Sequence, residues 1–323
     1  PSWDSPIATA TALAGAPAST ASFDPPRSGE FVIMARTADP LAAGAYDLGV
    51  SCETGCDLET TRYPIVLVHG WTGWSEIGPY TYFYGIPDLL EGMGYPVYVA
   101  SLDPYNSVEV RSGQLAEQVD GFLSEGRAAR IDVVAHSQGG LDARRLISTL
   151  GYGDRVAALV TVATPHLGTP IADVALGYLP GSATDALSFL LELIGAAGGN
   201  ESDAEASFAS MTTTWVDGEF NPANPDDPRV DYVSWTGLTC IAGITCGDAC
   251  DLEIQWSYDL IYLMAGDNDG IVPVSSAPWG DYRGEIPADH FDEVGQLLGV
   301  TGPEFDHEDF YLGIARDLAA GWH

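Results

Sequence analysis

A run of apolar and β-branched residues, Ile131-Asp132-Val133-Val134-Ala135-His136, stops at Ser137 and gives way to Gln138-Gly139-Gly140 and a helical pattern. The residues before the serine read as a buried strand, and Leu141, Arg144, Arg145 and Leu150 continue as a helix. Turning from strand to helix at one residue forces the two elements to cross closely. The crossing is tolerable only where the positions two before and two after are small, and here they are Ala135 and Gly139. Alanine adds a single methyl group to the glycine more usual at the first of these, which the packing should accept. Such a strained turn, a nucleophile elbow, presents a serine hydroxyl at the end of a strand.

Around this elbow the pattern alternates. Tyr63 to Val68 is an apolar strand that runs into the loop His69-Gly70-Trp71-Thr72-Gly73-Trp74. Ile86 to Met93 is helical, Tyr95 to Ser101 is a second buried strand, and Leu115, Val119, Phe122 and Leu123 recur at helical spacing between Gln114 and Gly126. Ala157 to Ala163 adds a strand, and Phe31 to Ala35 is a further candidate upstream. Regular alternation implies a mostly parallel sheet with helices on both faces and functional groups at the carboxyl ends of its strands. Beyond a break, Tyr232 to Trp235 and Leu260 to Ala265 read as strands, and Phe310, Ile314 and Leu318 mark a terminal helix.

The break runs from Gly168 to about Pro225 and contains no clear strand. Within it Leu187, Leu190, Leu191 and Ile194 line one side of a helix whose polar positions are Asp185, Ser188 and Glu192. Glycines flank it, so it suits a movable lid over an apolar site, with an ordinary packed surface helix as the alternative. Residues 1–60 form an N-terminal extension with a cysteine loop, and 61–323 form one domain with the lid inserted at about 168–225.

Twelve basic against 46 acidic residues give a formal charge of −34, which sets nucleic acid and anionic membrane surfaces aside as partners. The balance suits a saline or alkaline extracellular setting, where salt screens self-repulsion. No apolar run approaches the roughly 18 residues of a transmembrane segment. A chain starting at Pro1 reads as a mature or trimmed form, from which any signal peptide would already be gone, and secretion is the expected localisation. The segments Cys52-Glu-Thr-Gly-Cys56-Asp-Leu-Glu and Cys246-Gly-Asp-Ala-Cys250-Asp-Leu-Glu echo each other, and Cys240 is the fifth cysteine. Loop-stapling disulfides fit a secreted chain better than a zinc site, whose ligand pairs are usually closer.

A serine hydroxyl needs a base beside it, usually a histidine held by a carboxylate. His136 adjoins the serine and should point away from it, His69 belongs to the first loop, His307 reads as exposed, and His166 is a minor candidate. His290 is favoured because it completes the chain order Ser, Asp, His with Asp269, whose nearest rival is Asp267. For the oxyanion, the backbone N–H of Gln138 is placed at the start of the elbow helix, and Trp71 offers a second from the first loop.

Five segments together carry a family resemblance: Tyr63 to Gly73, Ala135 to Gly140, Ala163-Thr-Pro-His-Leu-Gly168, Asn268-Asp-Gly270 and His290 to Gly299. In this order they resemble the secreted, calcium-containing, foldase-assisted triacylglycerol lipases of pseudomonad type. The resemblance implies an α/β-hydrolase fold, a Ser137, Asp269 and His290 triad, and an amphipathic lid helix at about 183–197. It implies no organic cofactor but a structural calcium, held by Asp292, backbone oxygens of Gln296 and Val300, and a second carboxylate, Asp251 in preference to Asp248. It also implies a lipase-specific foldase as a partner. The chain departs from the family at Ser275, where a disulfide cysteine is usual, and in its first 60 residues.

The expected activity is therefore carboxylic ester hydrolysis at a lipid–water interface, with long acyl chains suggested by the lid and by Trp71, Trp74 and Leu167. A polyester hydrolase or a short-chain carboxylesterase would use the same triad. A non-catalytic binding protein on the same scaffold is the alternative of a different class.

Overall fold

The computed structural model describes residues 60–71, 82–126, 128–179, 203–240 and 246–321. Its centre is a six-stranded sheet of β1 (Ile65–Val68), β2 (Val97–Val99), β3 (Ile131–His136), β4 (Val156–Val162), β5 (Asp231–Gly237) and β6 (Asp281–Ile286). The spatial order is β2-β1-β3-β4-β5-β6, and each neighbouring pair is parallel. Helices α1 (Ile86–Met93), α2 (Val108–Gly126), α3 (Gln138–Ile147), α4 (Pro170–Ala175), α5 (Ala204–Ala209), α6 (Gln255–Ala265) and α7 (His307–Ala319) connect and cover it.

Strands β1, β3 and β4 are buried at every position, the consequence of having helices on both faces. Successive side chains on β1 divide between two cores. Ile65 and Leu67 join Ile86 and Leu90 of α1 and Ile314 and Leu318 of α7 on one face. Val66 and Val68 join Leu115 and Val119 of α2 and Leu146 of α3 on the other. Fully burying a side chain of this size contributes about 1.5–3 kcal/mol.

From β1 the chain passes outward to β2 and returns through α2 to β3, so the direction of winding reverses between β1 and β3. A crevice opens at the carboxyl ends of strands at such a point. Val68 pairs with Ala135 in register, which sets the His69 loop level with Ser137.

The segment Leu260 to Ala265, read above as a strand, is the second half of α6. Its continuous apolar run has no polar interruption to reveal a helical period, and packing decides in favour of the helix. The sixth strand is instead Asp281–Ile286, an edge strand exposed at Asp281, Tyr282, Arg283 and Glu285, and therefore without an apolar signature. Between Gly168 and Pro225 the described residues form α4, α5 and the helical stretch Thr213–Trp215, Val216–Phe220 and Asn221–Ala223. The lid positions Leu187, Leu190, Leu191 and Ile194, and also Phe31 to Ala35, Trp74, Cys52 and Cys56, lie outside the described residues. Cys240 and Cys246 form a disulfide, and Cys250 is a free thiol. His307 is buried rather than exposed, with Nε2 2.9 Å from the Tyr84 carbonyl oxygen.

Candidate active site

Ser137 joins β3 to α3 at φ +57° and ψ −134°, a conformation rare for any residue with a β-carbon. Close crossing is what holds it there. A β-carbon on Gly139 would lie 2.6 Å from the Val68 carbonyl oxygen and 2.8 Å from that of His69. Ala135 is completely buried, so its methyl group is accommodated. Thr164 Oγ1 donates to the Ser137 carbonyl at 2.8 Å and ties the turn to the loop after β4.

His290, in the loop after β6, reaches Ser137 Oγ with Nε2 at 2.9 Å, while its Nδ1 lies 2.8 Å from Asp269 Oδ2. An ionised carboxylate only accepts, so Nδ1 carries the proton and Nε2 faces the serine hydroxyl as an acceptor. Asp269 Oδ1 is occupied by the N–H groups of Ile271 at 2.8 Å and Val272 at 2.6 Å, which fixes the carboxylate plane. The His290 N–H donates to the Asp269 carbonyl at 2.9 Å, so the two loops are also joined through the backbone. Asp267 is exposed, and His166 is buried against Trp279; neither belongs to this constellation.

Ser137 and His290 open onto a cleft whose walls include Trp71, Ile171, Phe208, Met211 and Val272. The lining is predominantly apolar, as an acyl chain requires.

A profile described as alpha/beta hydrolase fold matches residues 63–193. A triacylglycerol lipase of Vibrio cholerae is 32% identical over 264 residues, covering 74% of this chain and 82% of that protein. The chain belongs to the triacylglycerol lipase family. A second relative, the triacylglycerol lipase of Pseudomonas fragi, is 27% identical over 291 residues, 81% of this chain and 98% of that one. Among solved structures, lipase 1 from Pelosinus fermentans superposes with a TM-score of 0.60 at 18% identity, over 80% of this chain and 99% of that one, a likeness of fold.

The lipase holds its first loop with residues that local sequence does not single out. Arg111 of α2 is fully buried; its Nη2 donates to the His69 carbonyl at 2.7 Å, Nη1 to the Asp103 carbonyl at 2.5 Å and Nε to Asp142 at 2.7 Å. His69 Nε2 accepts the Leu102 N–H at 3.0 Å. Burial, and secondarily Arg111, pushes the His69 pKa down to about 3, so it remains a neutral acceptor. Gln138 is clamped by its side chain, which donates to the Asn106 carbonyl at 3.0 Å and accepts from Ser207 at 3.1 Å. The Trp71 ring packs on Phe208 and Tyr105.

His136 does turn away from the serine, into the core of the lipase, where it meets a second buried carboxylate. Its Nε2 is 2.6 Å from Glu293 Oε2 and its Nδ1 is 2.6 Å from Tyr82 Oη. Glu293 Oε2 is also 3.7 Å from His290 Nδ1, so two carboxylates face the histidine. Burial, then the neighbouring Asp269, raises the Glu293 pKa well above the ordinary carboxylate range. Its place three residues after His290 is the one sequence signal that could have marked it.

Asp251 and Asp292 also come together, joined by Asp289, with carboxylate oxygens all within 4.8 Å of one another. Asp289 directly precedes His290, and no local pattern in the sequence marks it as a member of this cluster. Asp248 lies alongside, close to Gly302, whose N–H donates to Asp292 at 2.7 Å.

Proposed function

We propose that the enzyme hydrolyses long-chain acylglycerols through an acyl-enzyme on Ser137. The observation that carries this reading is the hydrogen-bonded series Ser137, His290, Asp269 at the floor of an apolar cleft. As Ser137 Oγ attacks the ester carbonyl, His290 Nε2 takes its proton, and Asp269 stabilises the resulting imidazolium. The oxyanion is met by the N–H groups of Trp71 and Gln138, and the N-terminus of α3 adds its dipole. His290 then gives its proton to the leaving alcohol. Water, deprotonated by His290, attacks the acyl-enzyme and releases the acid.

Labelling with a serine-directed phosphonate, followed by peptide mass analysis, is expected to place one adduct on Ser137. In parallel, emulsified long-chain triglyceride should be cleaved in preference to a soluble short-chain ester and to polyester film. Absence of an adduct on folded protein would reject the mechanism, and turnover of the soluble ester alone would reject the substrate class.

We further propose a structural calcium beside His290. Asp251, Asp289 and Asp292 offer hard oxygen donors, and the Asp248 carboxylate oxygens are buried without a well-formed hydrogen bond. The carbonyls of Gln296 and Val300 accept no backbone hydrogen bond among the described residues, which leaves them available as ligands. Burial and mutual repulsion raise the Asp289 pKa well above its ordinary value and push Asp292 up to about 7, a cost that a cation would offset. The ion would clamp the loop that carries His290. Chelation is expected to lower the melting temperature by roughly 5–10 °C. Calcium should restore it, and Asp251→Asn should abolish the response; an unchanged melting curve would count against the site. The Cys240–Cys246 disulfide and the acidic surface support secretion. No helix among the described residues is long and apolar enough to cross a membrane.

A further inference from the structure

Helix α5 has six residues, too few to be stable by itself, so its neighbours hold it in place. The Asp203 side chain caps it by accepting the Ala206 N–H at 3.0 Å. Just past its other end, Ser210 Oγ accepts the N–H of Val108, at the start of α2, at 3.2 Å. The Met211 carbonyl accepts the Thr169 N–H at 2.9 Å, and Thr169 Oγ1 donates to the Ile271 carbonyl in the loop that carries Asp269. Phe208 and Met211 join Val108, Leu141 and Val216 in an apolar cluster distinct from the two sheet cores.

Two adjacent residues of this helix reach the two residues assigned to the oxyanion. Ser207 is fully buried, and its Oγ donates to Gln138 Oε1 at 3.1 Å. The Asn106 carbonyl can only accept, so it takes Nε2 of the Gln138 amide and leaves Oε1 to the serine hydroxyl. A hydroxyl buried beside an apolar cluster is costly unless it is paired, and Gln138 pairs it. Phe208, the next residue, packs on the Trp71 ring with centroids 5.0 Å apart and also lines the cleft. Gln138 opens α3 and Trp71 follows β1, so one short helix touches both halves of the oxyanion hole.

We infer, on the acyl-enzyme mechanism proposed above, that Ser207 and Phe208 are positioning residues that set the two oxyanion donors, and that an acyl chain bearing on Phe208 is thereby felt at the oxyanion. Contact with a part of the substrate that does not react then appears in kcat rather than in KM.

Soluble acetyl and octanoyl esters, kept below the concentration at which they aggregate, separate this role from plain packing. Wild-type kcat is expected to rise at least about fivefold from acetyl to octanoyl. Ser207 does not line the cleft, so Ser207→Ala removes no contact with the acyl chain. It is expected to lower kcat on the octanoyl ester about tenfold, with KM within about twofold, and to flatten the dependence on acyl length. Ser207→Thr, which keeps the hydroxyl, should recover most of that kcat. Val216→Ala, in the same cluster but away from the cleft, should lower the melting temperature and leave kcat unchanged. Hydrogen exchange gives a reading without turnover: the peptide containing Gln138 should exchange faster in Ser207→Ala, and the one containing Trp71 faster in Phe208→Ala. Unchanged kcat in Ser207→Ala, or an acyl dependence as steep as that of wild type, would overturn the inference. Wild type that takes no phosphonate label on Ser137 would instead reject the mechanism itself, and with it the assignment of Ser207 and Phe208, whatever the exchange rates show.

Discussion

Ser137→Ala is expected to lower kcat on every ester by about a million-fold, and Asp269→Asn by about 10^4-fold. In the proposed mechanism the two losses differ because alanine removes the nucleophile, whereas asparagine leaves it in place but presents His290 with the wrong hydrogen-bond partner. With Asn at 269, the amide can donate towards Nδ1, and the tautomer that turns a free Nε2 lone pair to Ser137 is disfavoured. A companion variant separates chemistry from strain. Ser137→Gly removes the β-carbon at φ +57° and is expected to raise unfolding free energy by about 1 kcal/mol relative to Ser137→Ala, although both are inactive. Urea denaturation of the two provides the comparison. Equal stability would mean that the elbow stores no strain.

The elbow was legible from sequence because everything that makes it is local: a buried run, one serine, and small neighbours two residues to either side. Asp269 and His290 were legible for a different reason. Each follows a sheet-bound or helical element in the order a Ser, Asp, His constellation takes, so their meeting at 2.8 Å needs only that the loops gather at one end of the sheet. What local pattern could not disclose was the element preceding Asp269. An unbroken apolar stretch suits a central strand and a two-faced helix equally, and only α4 packed on one side shows that Leu260 to Ala265 is helical.

Long-range charge was the other hidden layer. Arg111 precedes the helix read at Gln114 to Gly126 and carries no local signal, yet its buried guanidinium donates to Asp142 and to the Asp103 and His69 carbonyls beneath the first loop. Glu293 reads as one more acid in an acidic chain, yet it is fully buried against His136. Asp289 reads as a neighbour of His290, yet its Oδ2 accepts from the Asp251 N–H, 38 positions earlier. In each case the meaning lies in a partner dozens of positions away, which no periodicity reports.

Arg111 carries the second large effect. Arg111→Met leaves Asp142 fully buried without its ion-pair partner and strips a donor from the carbonyls of both His69 and Asp103. Removing one member of a buried pair costs about 3–5 kcal/mol, so the melting temperature is expected to fall by roughly 10 °C. Asp142 already has its pKa raised to about 7, with burial the largest cause, and without Arg111 it should hold its proton at neutral pH. The double variant Arg111→Met/Asp142→Leu removes both charges and should recover most of that stability. It should not recover kcat, because the His69 carbonyl still lacks the donor that fixes the loop leading to the Trp71 N–H. A double variant restored in both melting temperature and kcat would show that Arg111 serves the fold alone. Restored stability with kcat still depressed about 10-fold or more, and with KM little changed, would place Arg111 in the service of the oxyanion loop, where loss of a positioned donor is felt in the transition state rather than in substrate binding.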